Sequence, residues 1–378
     1  GGSDGISITA KFAPELGKNR VIVIDPAEKH YYQSMFTFIG SGVRQLCESY
    51  RPMEQVIPND FLWIKYQATE IHPQTNTVRT CNGTIIEYDL VILATGIKAD
   101  FKNIPGLWEA LEDPCSAIFT YPKKQIKCPG AALKIAFLTS HHAHKTKKKD
   151  IQFIYHATTP LIYPCAKYAE SLWRAAKKRN IQVCLNSELI EIRPDKKEAV
   201  FVNLKEPNEI TIEEYQMLHV APPYSTSPLI TENKLLACKS GFLKVDKGTL
   251  QHMEFPNNFG IGDCTNLPTS KTGEAVAGQI PILKKNLKAV MEGTEPKKMY
   301  NGYTCCPLLT GYGSCILAEF GYDCIPLETF PFDQSVERFS MYFFTTYVLP
   351  IVYFELMVRE LWEGPAVMRK LMHFGMLK

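Results

Sequence analysis

The segment Gly1-Gly2-Ser3-Asp4-Gly5 opens the chain, and an apolar stretch of helical spacing follows it before the strand-like residues Val21–Ile24 and Asp25. Glycines at such a turn let backbone N–H groups approach a pyrophosphate at the N-terminus of the next helix. An acidic residue about twenty positions further on accepts hydrogen bonds from a ribose, and Asp25 stands at that distance from Gly5. The stretch predicts the start of a dinucleotide-binding domain, with its first strand and first glycine expected ahead of residue 1.

A second motif, Phe259-Gly260-Ile261-Gly262-Asp263, lies more than two hundred residues later. A strand that ends in Gly-Asp and leads into a helix is typical of the second FAD contact in two-domain flavoproteins of the disulfide-reductase type. A single glycine motif is a weak signal. The two motifs together predict that the cofactor is FAD.

Composition limits the possible classes. With 378 residues and 45% hydrophobic content, the chain is long enough for two domains and an appendage. A net charge of +3 does not indicate a nucleic-acid partner, and the lysines at 145 and 147–149 are interpreted as a solvated loop. The twelve cysteines include no CxxC pair, so neither a zinc site nor a thioredoxin-type pair is predicted and no metal is expected.

An internal repeat organises the chain. Residues 84–96 (TIIEYDLVILATG) resemble residues 211–223 (TIEEYQMLHVAPP), and each copy follows a predicted strand and turn. A unit that occurs twice indicates two related dinucleotide-binding domains and not a solenoid. The first copy ends in Ala94-Thr95-Gly96, where small residues allow the backbone to lie against a cofactor. Thr95 and Gly96 are therefore predicted cofactor contacts.

The second copy lacks a nucleotide-binding turn. Its first strand is predicted at Ile151–Tyr155, and the turn at 156–161 (HATTPL) has no glycine where close approach to a pyrophosphate needs one. Its end, Pro222-Pro223, cannot donate backbone N–H bonds. We therefore predict a Rossmann-like second domain without an NAD(P) site, so that electrons enter the flavin from a donor other than NADH.

Met341–Val358 is an apolar, aromatic-rich run that contains Pro350 and Glu355. A spanning helix needs roughly 20 apolar residues, so this run is slightly short as well as interrupted. Two short helices that lie in the membrane interface are expected, with Arg369, Lys370 and His373 placed to meet headgroups. A buried core or dimer helix and a true membrane span are the alternatives.

Two cysteine positions have surroundings that favour reactivity. Cys128 lies in Lys127-Cys128-Pro129-Gly130 before a predicted helix, and a helix N-terminus and adjacent lysines lower the pKa of a thiol. Cys305-Cys306-Pro307 lies just ahead of the C-terminal segment. The other cysteines, Cys165 and Cys324 among them, are interpreted as small buried hydrophobes.

Together these residues closely resemble the eukaryotic, mitochondrial-type sulfide:quinone oxidoreductases over nearly the whole chain. The resemblance rests on stretches that are far more specific than a glycine motif. They are His30-Tyr31-Tyr32-Gln33, Ile126-Lys127-Cys128, Phe259–Thr272, Gly302–Pro307, Phe330–Arg338, Gly364-Pro365 and Arg369-Lys370-Leu371.

The resemblance implies an α/β fold of two Rossmann-like dinucleotide-binding domains, similar to disulfide reductases, with a C-terminal membrane-docking helical segment. The expected divisions are 1–112 and 246–300 for the FAD domain, 113–245 for the second Rossmann-like domain, and 301–378 for the redox-cysteine, membrane-docking and quinone region. Cys128 and Cys306 are the implied redox pair, with Cys306 directly before proline. With the glycine motif, the expected FAD contacts are Gly1, Gly2, Ser3, Asp4, Gly5, Asp25, Gln33, Ala68, Thr95, Gly96, Asp263 and Lys271.

The implied activity is FAD-dependent oxidation of hydrogen sulfide with transfer of electrons to ubiquinone. Hydrosulfide attacks the sulfur bridge between Cys128 and Cys306, Cys306 keeps a persulfide, and Cys128 donates to the flavin. The sulfane sulfur passes to glutathione or sulfite. The protein is expected to be a monotopic, peripheral protein of the mitochondrial inner membrane.

Two alternatives stay open at this stage. A type II NADH:quinone oxidoreductase would share the double fold and the tail, but would need a glycine-rich turn after Tyr155 and no paired cysteines. A non-catalytic, membrane-associated relative is the other alternative. Three departures from the family accompany it: the first strand and first glycine are expected to be missing, Asp4 stands where glycine is common, and the connection between Leu111 and Phe119 is shorter.

Overall fold

A computed structural model of the protein describes residues 2–57, 61–100, 104–105, 117–123, 127–147, 151–362 and 364–375. Gly1, Ile126 and most of the 111–119 connection lie outside the described residues. The α-helices are Ser3–Leu16, Phe36–Gly40, Met53–Val56, Ala131–Lys145, Ala166–Lys178, Pro228–Thr231, Gly273–Met291, Phe339–Phe343, Leu349–Ile351 and Pro365–Met372.

Two parallel strand pairs carry the motifs of the first domain. Ile22–Ile24 pairs with Leu62–Ile64, and Val91–Leu93 pairs with Asn258–Gly260. Parallel strands present their carboxyl ends at one edge, where ligands of such sheets bind. Asp25, the residues at 94–96 and Asp263 follow these strands, so the sheet geometry brings the two sequence motifs to one cavity.

The second domain is built on a four-stranded parallel sheet. Its strand order is Ile181–Leu185, Phe153–Ala157, Ile118–Tyr121 and Leu218–Val220. All five residues of Phe153–Ala157 are buried, as a central parallel strand that is covered on both faces requires. Helices Ala131–Lys145 and Ala166–Lys178 pack on the sheet.

The internal repeat is confirmed. Each copy folds as a three-stranded antiparallel sheet that leads into a parallel strand. The first triplet is Ala68–His72, Thr77–Thr80 and Ile85–Glu87, and the second is Ser187–Arg193, Glu198–Asn203 and Ile210–Glu214. The parallel strands that follow are Val91–Leu93 and Leu218–Val220. The remaining described sheets are the C-terminal hairpin and two short antiparallel pairs. In these pairs Lys29–Tyr31 lies beside Tyr50–Pro52, and Ile97–Ala99 lies beside Tyr224–Thr226.

The C-terminal hairpin pairs Thr304–Gly311 with Ser314–Phe320. Its first strand packs against Ala131–Lys145 of the second domain and against Gly273–Met291, which follows the Gly-Asp motif. Because successive side chains of a strand point to opposite faces, Cys305 and Cys306 belong to different hydrophobic clusters. The hairpin therefore carries one cysteine of the vicinal pair to each side.

The tail differs from the two short helices expected within 341–358, so that expectation is wrong. Phe339–Met357 is one helix of 19 residues that is long and apolar enough to cross a membrane, with a mean hydropathy of 1.2 and 39% of its apolar window buried. π-Helical segments at Phe344–Val348 and Val352–Met357 flank Pro350. Proline lacks the N–H for an α-helical bond, and the wider turns on both sides let the helix continue past it.

Arg369 is not placed to meet lipid headgroups as expected. Its side chain is buried, its Nε donates to the carbonyl oxygen of Leu327 at 2.9 Å, and its guanidinium lies 4.8 Å from the ring centre of Tyr303. The second tail helix, Pro365–Met372, is thereby fixed onto the hairpin region. Its arginine stabilises the fold and is not free for a surface contact.

Candidate redox site

Cys128 and Cys306 come together although 178 positions separate them in the sequence. Their sulfur atoms lie 3.1 Å apart. Cys128 occupies a tight turn with φ of 57°, just ahead of the helix Ala131–Lys145, and Cys306 is fully buried in the first strand of the hairpin. Gly130 makes this approach possible, because a Cβ there would lie 3.0 Å from Cys306 Sγ and 2.3 Å from a methyl carbon of Leu308.

Cys128 is the nucleophilic member of the pair. A hydrogen bond from the Cys306 thiol and the charge of Lys134 lower the pKa of Cys128 to about 5, against the opposing effect of burial, while the pKa of Cys306 is raised well above its usual range. Lys134 Nζ lies 3.5 Å from Cys128 Sγ. Since the thiolate is the reactive form of cysteine, Cys128 is poised to react at neutral pH.

The lysine that stabilises the thiolate differs from the one adjacent in sequence. Lys127 Nζ contacts Asp263 Oδ2 at 3.1 Å and donates to Gln33 Oε1. Lys134 reaches the sulfur instead, from the first turn of the following helix, where its side chain is buried. Sequence reasoning missed Lys134, and the available signal was a single charge within the apolar run AALKIAFL.

Replacing Lys134 by glutamine tests this electrostatic assignment. An opposite charge at this range shifts a pKa by roughly 1–3 units, so the pKa of Cys128 should rise by that amount in Lys134→Gln and less thiolate should be present at pH 7. The rate of alkylation of Cys128 by iodoacetamide across pH, followed by peptide mass spectrometry, measures it. Lys145→Gln at the exposed end of the same helix is the matched control, and an unchanged profile in Lys134→Gln would contradict the assignment.

Cys305 has a different environment from its neighbour. It is buried opposite Glu319 in the hairpin register, and burial together with that carboxylate raises its pKa well above the usual thiol range. It also lines a small apolar cavity away from Cys128. The thiol of Cys305 therefore stays protonated and is not part of the pair.

A cavity of about 1200 Å³ extends from the N-terminus of Ser3–Leu16 to the cysteine pair. It is lined by most of the residues predicted to bind the cofactor. These are Gly2, Asp4, Gly5, Asp25, Gln33, Ala68, Thr95, Gly96, Asp263 and Lys271, and Cys128 lines it as well. The sequence motifs and the reactive thiol thus share one space.

The lining suits FAD. No side chain caps the N-terminus of Ser3–Leu16, so its first N–H groups are available to a pyrophosphate. Gly96 has φ of 64°, a conformation that favours glycine and brings bare backbone to the cavity wall. Asp25 directly follows its strand at the cavity and accepts from the backbone N–H of Ala27 at 2.7 Å, which orients the carboxylate. The donor set and the dimensions fit a dinucleotide.

Two of the predicted cofactor residues direct their polar atoms elsewhere. Ser3 Oγ lies 2.5 Å from the hydroxyl of Tyr353, which lies 2.7 Å from His30 Nε2. Lys271 Nζ donates to the carbonyl oxygen of Thr265 at 2.5 Å, and burial lowers its pKa to about 8. Ser3 therefore joins the first helix to the tail, and Lys271 supports the loop behind Asp263.

Asp4 and Asp263 form a pair of carboxylates at the cavity wall. Burial, and then the charge of Asp263, raise the pKa of Asp4 to about 7. The Asp4 carboxylate packs over Gly262, where a Cβ would lie 1.8 Å from Asp4 Oδ2. Lys127 bonds to Asp263 and offsets part of the negative charge. A substantial fraction of Asp4 is neutral near pH 7, which reduces the repulsion between its carboxylate and a pyrophosphate at this helix N-terminus.

A second, smaller cavity of about 190 Å³ lies between the tail and the first domain. Its lining is mostly apolar, and it shares Tyr32 and Glu274 with the large cavity. Burial, and less strongly the charge of the Cys128 thiolate, raise the pKa of Glu274 to about 7. Sequence reasoning missed Glu274, since a glutamate in the first turn of a helix reads as an ordinary N-terminal charge.

Within the described residues, no group of three or more His, Cys, Asp or Glu side chains could hold a metal ion.

Comparison with known proteins agrees with this geometry. Residues 8–293 match the family described as "Pyridine nucleotide-disulphide oxidoreductase". The chain is 41% identical to the mitochondrial sulfide:quinone oxidoreductase of Mus musculus, and the match covers all of this chain and 89% of that protein. It is 35% identical to the mitochondrial sulfide:quinone oxidoreductase of Dictyostelium discoideum, with 96% of this chain and 86% of that protein covered. The solved sulfide:quinone oxidoreductase of the hyperthermophilic bacterium Aquifex aeolicus has a TM-score of 0.78 at 17% identity over 100% of this chain and 94% of its own, which shows a shared fold. The predicted fold class is confirmed, and the chain belongs to the sulfide:quinone oxidoreductase family.

Proposed function

We propose that this chain oxidises hydrogen sulfide and delivers the electrons to ubiquinone through bound FAD. The observation that carries the proposal is the Cys128 thiolate, 3.1 Å from Cys306 Sγ, at the wall of a cavity that fits a dinucleotide. A thiol pair at that separation needs only a small movement to form a bond of about 2.05 Å. The names of the mouse and Dictyostelium relatives support the same substrates.

The cysteine step balances as a thiol–disulfide exchange. Hydrosulfide attacks Cys306 of the bridged pair, a new S–S bond forms to that sulfur, and the bond to Cys128 breaks. Cys306 keeps the persulfide, and Cys128 leaves as a thiolate that Lys134 stabilises. A leaving thiol of low pKa departs faster. The lowered pKa of Cys128 therefore makes it a good leaving group. A small acceptor such as glutathione or sulfite then takes the sulfane sulfur and restores the Cys306 thiol.

Bound FAD would supply the two-electron chemistry that re-forms the cysteine bridge and passes the electrons to the quinone. For the residues around the small cavity we propose the quinone-handling role. Its apolar lining from the hairpin and the tail suits a quinone ring and the start of an isoprenoid chain. Glu274, with a pKa of about 7, can hold or release a proton there at neutral pH.

The tail supports docking at a membrane surface. One face of Phe339–Met357 is buried, and the other exposes large apolar side chains that continue onto the last helix. These are Phe339, Phe343, Tyr347, Ile351, Leu361, Val367, Met368, Leu371 and Phe374, here named the tail surface. Such an apolar patch on a folded protein indicates a partner or a membrane. We propose peripheral, monotopic attachment to the mitochondrial inner membrane, because the relatives are mitochondrial and the quinone is lipid-soluble.

Anaerobic reduction of the bound flavin separates this function from its alternatives. Sulfide should bleach the flavin absorbance of the purified holoprotein within seconds, and NADH should not. The loop between Phe153–Ala157 and Ala166–Lys178 supports this expectation, since Ile162 and Tyr163 are buried where a nucleotide-binding turn would be open. Fast bleaching by NADH alone would favour a type II NADH:quinone oxidoreductase. Stable bound flavin that responds to neither donor would favour a non-catalytic relative.

A further inference from the structure

A second pair of thiols lies outside the redox site. Cys165 immediately precedes the helix Ala166–Lys178, and Cys324 ends the turn Tyr322–Cys324 that follows the hairpin. Each sulfur reaches the backbone of the other segment: Cys165 Sγ lies 3.4 Å from the carbonyl oxygen of Cys324, and Cys324 Sγ lies 3.6 Å from that of Pro164. The two thiols are also close enough to shift each other's pKa values in opposite directions.

The members of this pair differ in exposure and in charge. Cys165 is 1% exposed, whereas Cys324 is half-buried and reachable from solvent. The hydrogen bond from Cys324, the N–H groups of the first helical turn and the charge of Lys167 lower the pKa of Cys165 to about 7, while that of Cys324 is raised. The buried member is therefore the more acidic thiol, and the exposed member is the one that a reagent meets first.

The backbone around Cys324 is held in an unusual conformation. Asp323 and Cys324 both have positive φ values, 55° and 59°. Non-glycine residues in this region cost on the order of 1 kcal/mol each and persist where contacts hold them. Cys324 is held there against the loop that carries Cys165.

We propose that Cys165 and Cys324 form a second redox-active dithiol, which a low-molecular-weight disulfide oxidises to an internal disulfide. The Cys165 thiolate takes the proton of Cys324 as Cys324 attacks one sulfur of the small disulfide, which forms a mixed disulfide and releases one thiolate. The released thiolate or solvent then removes the proton from Cys165. The Cys165 thiolate then attacks Cys324 Sγ, forms the internal bond and releases the second thiolate. Two protein thiols are oxidised by two electrons, and one disulfide is reduced to two thiols.

The location gives the modification a structural effect. The bond would tie the second-domain helix to the turn that follows Ser314–Phe320, whose partner strand contains Cys306. Tyr163, two residues before Cys165, is fully buried and packs in the same hydrophobic cluster as Cys306. A cross-link that closes a long loop stabilises the native state chiefly by constraining the unfolded chain. Oxidation should raise the midpoint of thermal unfolding by roughly 5 °C.

The wild-type holoprotein provides the first test. It is equilibrated with glutathione and glutathione disulfide over a range of ratios, alkylated with N-ethylmaleimide, digested and analysed by mass spectrometry. We expect a cross-linked peptide that joins Cys165 to Cys324, disappears on reduction, and also forms in a Cys128→Ser/Cys306→Ser background. Absence of this link at every ratio, or its appearance only in denaturant, would overturn the proposal.

Single variants test the order of attack. In Cys165→Ser the reaction should stop at a stable glutathione adduct on Cys324, because the resolving thiolate is missing. In Cys324→Ser the buried Cys165 should stay unmodified, and neither variant should show the rise in unfolding midpoint on oxidation. Cys184→Ser, at a half-buried thiol elsewhere in the second domain, is the matched control and should behave as wild type. A glutathione adduct on Cys165 in Cys324→Ser would show that the buried thiol reacts first, which contradicts the proposed sequence.

Discussion

Cys128→Ser and Cys306→Ser should each abolish reduction of the bound flavin by sulfide. Without either sulfur the bridge cannot form, so hydrosulfide has no disulfide to attack, and the rate should fall by roughly 1000-fold or more. Both side chains are replaced by an isosteric hydroxyl, and neither change removes the helix N-terminus or Asp25 from the large cavity. Anaerobic stopped-flow absorbance gives the rate, and the ratio of flavin to protein absorbance gives the retained cofactor.

Cys305→Ser is the matched control for this experiment. It lies next to Cys306 in the same strand, but its side chain faces the other cluster and its thiol stays protonated. Its rate should remain within a few-fold of wild type. An inactive Cys305→Ser variant beside an active Cys306→Ser variant would reverse the assignment within the vicinal pair.

Replacing the exposed apolar side chains of the tail surface should release the protein from membranes. The triple change Leu361→Ser, Leu371→Ser and Phe374→Ser removes side chains that are 70%, 70% and 85% exposed. If each contributes about 1.5 kcal/mol on burial, liposome binding should weaken roughly 1000-fold. Reduction of long-chain ubiquinone in liposomes should fall with it, while a short, water-soluble quinone should still be reduced.

The control replaces three other exposed apolar residues, which lie far from the tail in the sequence. Ile85, Ile210 and Ile212 lie on the two antiparallel triplets and are 65%, 58% and 50% exposed, so their change to serine should leave liposome flotation unaltered. Deletion of the tail is a less specific test, because Tyr353, Phe354 and Met357 belong to the main core. If the triple tail variant still floats with liposomes, the tail surface is not a membrane contact.

Local patterns predicted the parts of the site that the chain carries close together in sequence. The spacing of Gly5 and Asp25 and the Gly-Asp motif at Asp263 depend on short segments, and the structure brings all three to one cavity. The pairing of Cys128 with Cys306 followed from family resemblance, since no spacing rule joins cysteines 178 positions apart. The pairing geometry depends on how the hairpin packs between helices of both domains.

Tertiary packing decides what the sequence could not predict. Lys134 and Lys127 are both near Cys128 in sequence, and only the direction of the helix Ala131–Lys145 determines which of them reaches the sulfur. The perturbed pKa of Glu274 comes from burial and from groups on other elements. Cys165 and Cys324 read as isolated buried thiols because their contact spans the second domain and the hairpin.

The hydrogen bonds of Tyr353 to Ser3 and His30, with its ring stacked 4.3 Å from that of Tyr32, have a consequence for orientation. An anchor on a flexible linker lets a peripheral protein roll and swing above a bilayer. A helix fixed along its inner face to the elements around the cofactor allows neither motion. Docked through such a helix, the molecule has one roll angle and one depth, and the entrance of the small cavity stays at a constant level in the leaflet. A quinone that diffuses laterally in the leaflet then reaches this entrance by a search in two dimensions, and the protein is already oriented to receive it.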